Sequence, residues 1–191
     1  MRIRKNFMNI RWLMAASVMT VAALHGNADD RAMFVMAGDV ASVALINSDD
    51  EMEWEQVIEF NTDGRIAAVD GVVPVIDRDR LGRPVTVTLT AEDEDGGEVS
   101  VTTRLTYHGD TFMVATAETV DGSEEGSWCY TYSYDKSTGR TLQRVYSSMG
   151  ESETFVYDYT VTDTYGNWTV RTETSDGAEF PLTQRRRIEF R

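Results

Sequence analysis

A turn of the form Asp/Asn-x-x-Gly-Arg/Asn recurs along this chain between segments that alternate apolar and polar residues. It occurs as Asn61-Thr62-Asp63-Gly64-Arg65, Asp79-Arg80-Leu81-Gly82-Arg83 and Asp163-Thr164-Tyr165-Gly166-Asn167, and one residue longer as Asp135-Lys136-Ser137-Thr138-Gly139-Arg140. An Asp or Asn side chain accepts a hydrogen bond from the backbone two residues on, and Gly adopts the left-handed conformation that closes a short hairpin. The repeat therefore specifies a train of antiparallel hairpins, which constrains architecture far more than chemistry.

Alternation and enrichment in Val, Thr, Tyr, Phe and Trp predict strands over 52–60, 65–69, 84–91, 98–107, 111–119, 127–134, 140–147, 153–161, 167–174 and 185–190. Almost every gap carries Gly, Asp or Asn. Residues 32–46 are ambiguous between helix and strand, and no other window past residue 28 sustains a helical period over three turns. The expected class is all-β, an antiparallel meander of successive hairpins in a single twisted or curled sheet, with a β-sandwich or barrel as the alternative. Residues 185–190 read as an edge strand whose arginines, Arg185, Arg186 and Arg187, discourage edge-to-edge pairing.

At the N-terminus, Arg2, Arg4, Lys5 and Arg11 precede the apolar run from Trp12 to Leu24 and the small-residue site Gly26-Asn27-Ala28. That order is a secretory signal peptide, with cleavage expected after Ala28 and a mature chain that is secreted or periplasmic. The run is 13 residues, short of the roughly 20 that a spanning helix needs. Residues 29–191 are expected to form one β-rich domain, since only three prolines occur and no Ser/Pro/Gly-rich linker divides it. The polar run 121–126 reads as a long hairpin loop.

Residues 1–28 hold four of the 18 basic residues and none of the 32 acidic ones, so the remainder carries a formal net charge of −18. Such a surface repels phosphate backbones and argues against nucleic acid as a partner. Cys129 is the only cysteine, which excludes an intrachain disulfide, and nothing beside it in sequence would activate a thiol.

Catalytic readings find little support. His108 is the sole histidine after residue 28 and sits in an expected turn, Tyr107-His108-Gly109-Asp110, which disfavours a histidine-rich zinc site or a serine triad. Carboxylate pairs such as Glu51/Glu53 and Asp158/Asp163 could serve a small glycosidase or lyase, but composition alone generates such pairs here. The acidic stretch 92–98 concentrates oxygen ligands without the spacing of an EF-hand, and reads as a solvated hairpin tip. No metal, cofactor or catalytic residue is expected. Asn167-Trp168-Thr169 matches a glycosylation acceptor at an expected strand start.

Tyr134-Asp135-Lys136-Ser137-Thr138-Gly139-Arg140-Thr141-Leu142 resembles the Tyr-Asp-x-x-Gly-Arg-Leu unit of YD-repeat, Rhs-like proteins, and 79–83 and 163–167 resemble looser copies. The glycines fall at uneven intervals, at 64, 82, 139 and 166. The resemblance, over residues 55–190, implies a winding β-sheet of an exported protein engaged in surface contact or carbohydrate binding. It implies no catalytic residues, and the chain is too short to enclose a toxin as large members do.

The leading site candidate is the run 128–134. Strand alternation places Trp128, Tyr130, Tyr132 and Tyr134 on one face, and Phe155, Tyr157 and Tyr159 repeat the pattern one hairpin later. Facing solvent, such rings form a platform for a glycan or cell-envelope polymer, with Arg140 and Arg144 near its edge; facing inward, they are core. The sequence thus leads to a non-catalytic exported binding or structural protein, with a protein-interaction module that uses exposed hairpin edges as the alternative.

Overall fold

The computed structural model describes residues 29–34, 36–48, 53–92, 96–121, 127–176 and 181–191; the expected signal peptide, the tip of the acidic stretch 92–98 and the 122–126 loop lie outside them. The protein is all-β. Its twelve strands are β1 (Val40–Ser48), β2 (Glu53–Phe60), β3 (Ile66–Val69), β4 (Val75–Arg78), β5 (Pro84–Glu92), β6 (Glu98–Tyr107), β7 (Val114–Asp121), β8 (Trp128–Tyr134), β9 (Thr141–Ser148), β10 (Glu151–Thr162), β11 (Trp168–Ser175) and β12 (Leu182–Phe190). A short 3-10 helix, Asp30–Met33, precedes them.

All twelve strands form one antiparallel sheet in the order β3-β2-β1-β12-β11-β10-β9-β8-β7-β6-β5-β4. Every neighbouring pair is consecutive in sequence except β1 and β12, which join the two ends of the chain, as in the pairing of Ile46 with Arg185. The two edge strands, β3 and β4, are themselves consecutive. Laid flat, twelve strands at about 4.8 Å spacing would hold the edges about 50 Å apart. The linker 70–74 spans at most roughly 20 Å. The sheet must therefore curl until its edges approach each other, although no strand-to-strand ladder closes it.

The seam between these edges is short and fastened at both ends. At the linker end, Val69 of β3 and Val72 of the linker exchange backbone hydrogen bonds of 2.9 Å. At the opposite end the 3-10 helix inserts the fully buried carboxylate of Asp30, which accepts from Ile66 N–H on β3 at 2.9 Å and from the Arg78 guanidinium on β4 at 2.7 and 2.8 Å.

The repeated turns have one geometry. In each five-residue copy the first side chain, Asn61, Asp79 or Asp163, accepts through Oδ1 from the backbone N–H groups two and four residues on, at 2.8–3.0 Å. The glycines Gly64, Gly82 and Gly166 take φ of 77°, 78° and 84°, a region only glycine enters freely. In an antiparallel meander alternate connections fall at the same end, so 61–65, 79–83, 135–140 and 163–167 all lie at one end of the curled sheet with the 108–113 turn. There the last residue of a turn reaches its neighbour: Arg83 donates to the carbonyls of Gly109 (2.8 Å) and Thr111 (2.5 Å), and Arg140 to that of Gly166 (3.5 Å). The Gly-Arg signature thus stitches successive hairpins into a rim.

Two expectations need correction. β12 is a central strand, flanked by β11 and β1. Its outward arginines do not guard an edge: Arg187 pairs with Glu55 and Arg185 approaches Glu53 at 3.7 Å, while Arg186 points inward and is buried. The ambiguous segment 32–46 divides into the 3-10 helix and most of β1, and β4 was not anticipated.

Candidate functional site

The inner face of the sheet is built by alternation. On β8, Tyr130 and Tyr132 are buried, each 4 % exposed, while Trp128 and Tyr134 are half-buried and pack against the core. The four expected ligand-binding aromatics do share a face. It turns inward, so no flat solvent-facing platform exists across all four. Burial pushes the Tyr130 hydroxyl up to about 12, and those of Tyr132 and Tyr134 higher still. Tyr134 donates to the Val114 carbonyl at 2.8 Å.

Arg144, opposite Tyr132 in the β8–β9 ladder, is also interior. Its Nη2 reaches both Glu173 carboxylate oxygens, at 3.0 and 3.1 Å, and its guanidinium lies 4.7 Å from the Tyr130 ring centroid and 4.4 Å from that of Phe155. Burial opposes its charge, but Tyr157 and Glu173 outweigh that effect and hold its pKa above the usual arginine value. Arg140, by contrast, belongs to the turn rim and sits 5.2 Å over Tyr159. The two arginines therefore do not flank one edge of the β8 face.

The inner wall is two-sided in chemistry. β5, β6 and β7 contribute apolar groups, among them Val87, Leu89, Val101, Leu105 and Ala117. β9 to β12 contribute Arg144, Glu173, Arg171, Gln184 and Arg186, all buried. The guanidiniums are layered on rings: Arg171 lies 4.0 Å from Tyr157 and 4.3 Å from Trp168, and Arg186 lies 3.7 Å from Trp168. Sequence reasoning missed Arg171, Glu173, Gln184 and Arg186, because a polar residue on a strand reads as outward.

At the end opposite the turn rim, half-buried aromatics form a collar. Trp54 near the start of β2 shares the face of buried Gln56, Ile58 and Phe60. Trp128 opens β8, and Tyr146, near the end of β9, sits opposite Tyr130 with ring centroids 5.3 Å apart. Phe155 lies one step deeper, opposite Arg144. Tyr146 could have been found from the register that the 135–140 turn imposes, and Trp54 from its alternation with 56, 58 and 60. The collar joins aromatic surface to the carboxylate of Glu153, opposite Tyr146 in the β9–β10 ladder.

The remaining candidates are spent on structure. His108 approaches the Tyr132 carbonyl at 3.3 Å and meets Tyr134 edge-on. Asp158 pairs with Thr172 and is exposed, whereas Asp163 caps its turn, so that carboxylate pair does not converge; Glu51 lies outside the described residues. Asn167 is buried, with Oδ1 accepting from Ala37 N–H at 2.6 Å and Nδ2 donating to Asp163 at 2.8 Å, which leaves no accessible glycan acceptor. Cys129 packs on the outer face, its thiol pushed up by burial and then by Glu118. Among the described residues no cluster of three His, Cys, Asp or Glu could hold a metal ion, and no helix is long and apolar enough to cross a membrane.

Fold and site together define a curled, single-sheet antiparallel meander with an Asx-turn rim at one end and an aromatic collar at the other. No family model and no curated protein sequence matches the chain.

Proposed function

We propose that this chain is an exported, non-catalytic binding protein that engages a glycan or another hydroxyl-rich cell-envelope polymer at the aromatic collar. The observation that carries the reading is the placement of Trp128 and Tyr146 on the adjacent strands β8 and β9, and of Trp54 on β2, at one end of the inner face, each left half-buried. Sugar rings stack their apolar faces on such aromatics and direct hydroxyls to neighbouring polar groups. Glu153 supplies an acceptor at the same level. The leader-like residues 1–28 accord with export, and the turn pattern at 135–140 accords with the carbohydrate-contact role that the YD-repeat resemblance implies.

The alternative, strand addition at exposed hairpin edges, has less to work with. The edge strands β3 and β4 are four residues each, and Asp30 bridges them.

Binding of the purified protein to a panel of glycans and cell-wall polymers tests the proposal, with Trp54→Ala and Trp128→Ala measured alongside after circular dichroism confirms folding. Loss of binding in folded variants is expected. Binding that survives both substitutions unchanged would overturn the collar as the site.

A further inference from the structure

We infer that the arginine pair flanking Trp168, Arg171 and Arg186, binds a small inorganic or carboxylate anion inside the curled sheet.

Among the described residues, buried Asp30 pairs with Arg78, buried Arg83 with Asp79, and buried Arg144 with buried Glu173. Arg171 and Arg186 are the exceptions. Arg171 spends its donors on Gln184 Oε1 and the Tyr159 hydroxyl, and Arg186 donates through Nη1 to the Phe34 carbonyl at 2.7 Å. All of these acceptors are neutral, and neither guanidinium reaches a carboxylate. Both stack against one indole, so two like charges share a single low-dielectric neighbourhood.

A guanidinium does not shed its proton in a protein, and a buried charge is costly unless it is paired. Burial, and after it the charge of Arg171, push Arg186 below its ordinary value, as expected of an uncompensated cation.

The unsatisfied polar atoms around the pair are of one kind. Among the described residues, Arg186 Nε and Trp168 Nε1 have no hydrogen-bond partner, and both residues are more than nine-tenths buried, at 7 % and 1 % exposed. Each is a donor only. The Tyr132 hydroxyl, a donor as well, is a third orphan on the inner face. Two surplus positive charges and a set of unused N–H groups are satisfied together by an anion. A water would serve the donors and leave the charge.

Thermal unfolding of the purified protein at constant ionic strength tests the site, with chloride, acetate or phosphate replacing gluconate, a bulkier reference anion. Ligand that binds only the folded state raises Tm with the logarithm of its concentration. We expect Tm to climb with at least one of the three anions, the responsive one identifying the ligand as halide, carboxylate or phosphate, and Arg186→Met to abolish the dependence. A Tm that is the same in all four anions would overturn the inference. If Arg186→Met does not fold, crystals soaked in bromide give the second readout: an anomalous peak beside Arg186 Nε or Trp168 Nε1 supports the site, and a map without one contradicts it.

Discussion

The carboxylate of Asp30 lies 2.7 Å from the guanidinium of Arg78, and this pair joins the two edges of a twelve-stranded sheet. Asp30 is fully buried and also accepts the Ile66 N–H, so one side chain from the 3-10 helix ties β3 to β4. A long meander exposes two edges that invite pairing with other chains. Here they are shortened, brought together by the curl and bridged.

Asp30→Ala would leave a half-buried arginine and a backbone N–H without partners. Breaking such a pair from one side costs about 3 kcal/mol or more. Chemical denaturation should show that loss, and Asp30→Ala should associate at concentrations where the parent is monomeric. Parent-like stability would mean that the seam is held by other contacts.

Gly64 is constrained twice. Its φ is 77°, and a Cβ there would collide with the Asp29 carboxylate that packs over the turn. A left-handed L-residue alone costs about 1–2 kcal/mol. Gly64→Ala should therefore lower stability by more than Gly166→Ala, whose Cβ would meet nothing within 4 Å. Equal losses in urea unfolding would argue against the docked position of Asp29.

Asp135 in the longest turn accepts from Ser137 Oγ and from the backbone N–H groups of Thr138 and Ser137. These bonds, the Ser137 hydroxyl foremost, lower its pKa from 3.8 to about 2. A depressed folded-state pKa adds stability that is fully present above the unfolded value and is lost as pH falls through the folded one. The contribution of this turn should disappear between about pH 4 and pH 2, and an NMR titration should place the Asp135 carboxyl midpoint near 2. A midpoint near 4 would mean that the turn bonds are absent in solution.

Tyr132 and Trp128 should separate core from collar. Tyr132 is buried to 4 % exposure, and its truncation to Ala should cost about 3–5 kcal/mol. Trp128, half-buried at the start of β8, should tolerate truncation with a smaller loss measurable by thermal unfolding. The reverse order would place Trp128 in the structural core.

The hairpins were legible because each turn carries its own instruction: Asn61, Asp79, Asp135 and Asp163 cap the backbone within their own loops. What depends on distant pairing was not. β12 looked like an edge because its neighbour β1 lies some 140 residues away, as in the pairing of Ile46 with Arg185. β1 itself hides its alternation, since Ala44 and Leu45 are buried on opposite faces of the strand. The site was legible in part. Alternation grouped Trp128, Tyr130, Tyr132 and Tyr134 correctly but could not say that the face turns inward. The interior charges Arg171, Glu173 and Arg186 invert the usual apolar-in pattern and become readable only once Trp168, Tyr157 and Arg144 are seen packed against them.

The collar is the proposed place where ligand is met, and the indole N–H resonances report on it directly. In a ¹⁵N-labelled sample titrated with polymers from the glycan and cell-wall panel, the Trp54 and Trp128 signals should shift saturably while that of Trp168, 1 % exposed, stays in place. A ligand that binds without moving either collar indole, or a panel in which no polymer moves them, would contradict the account.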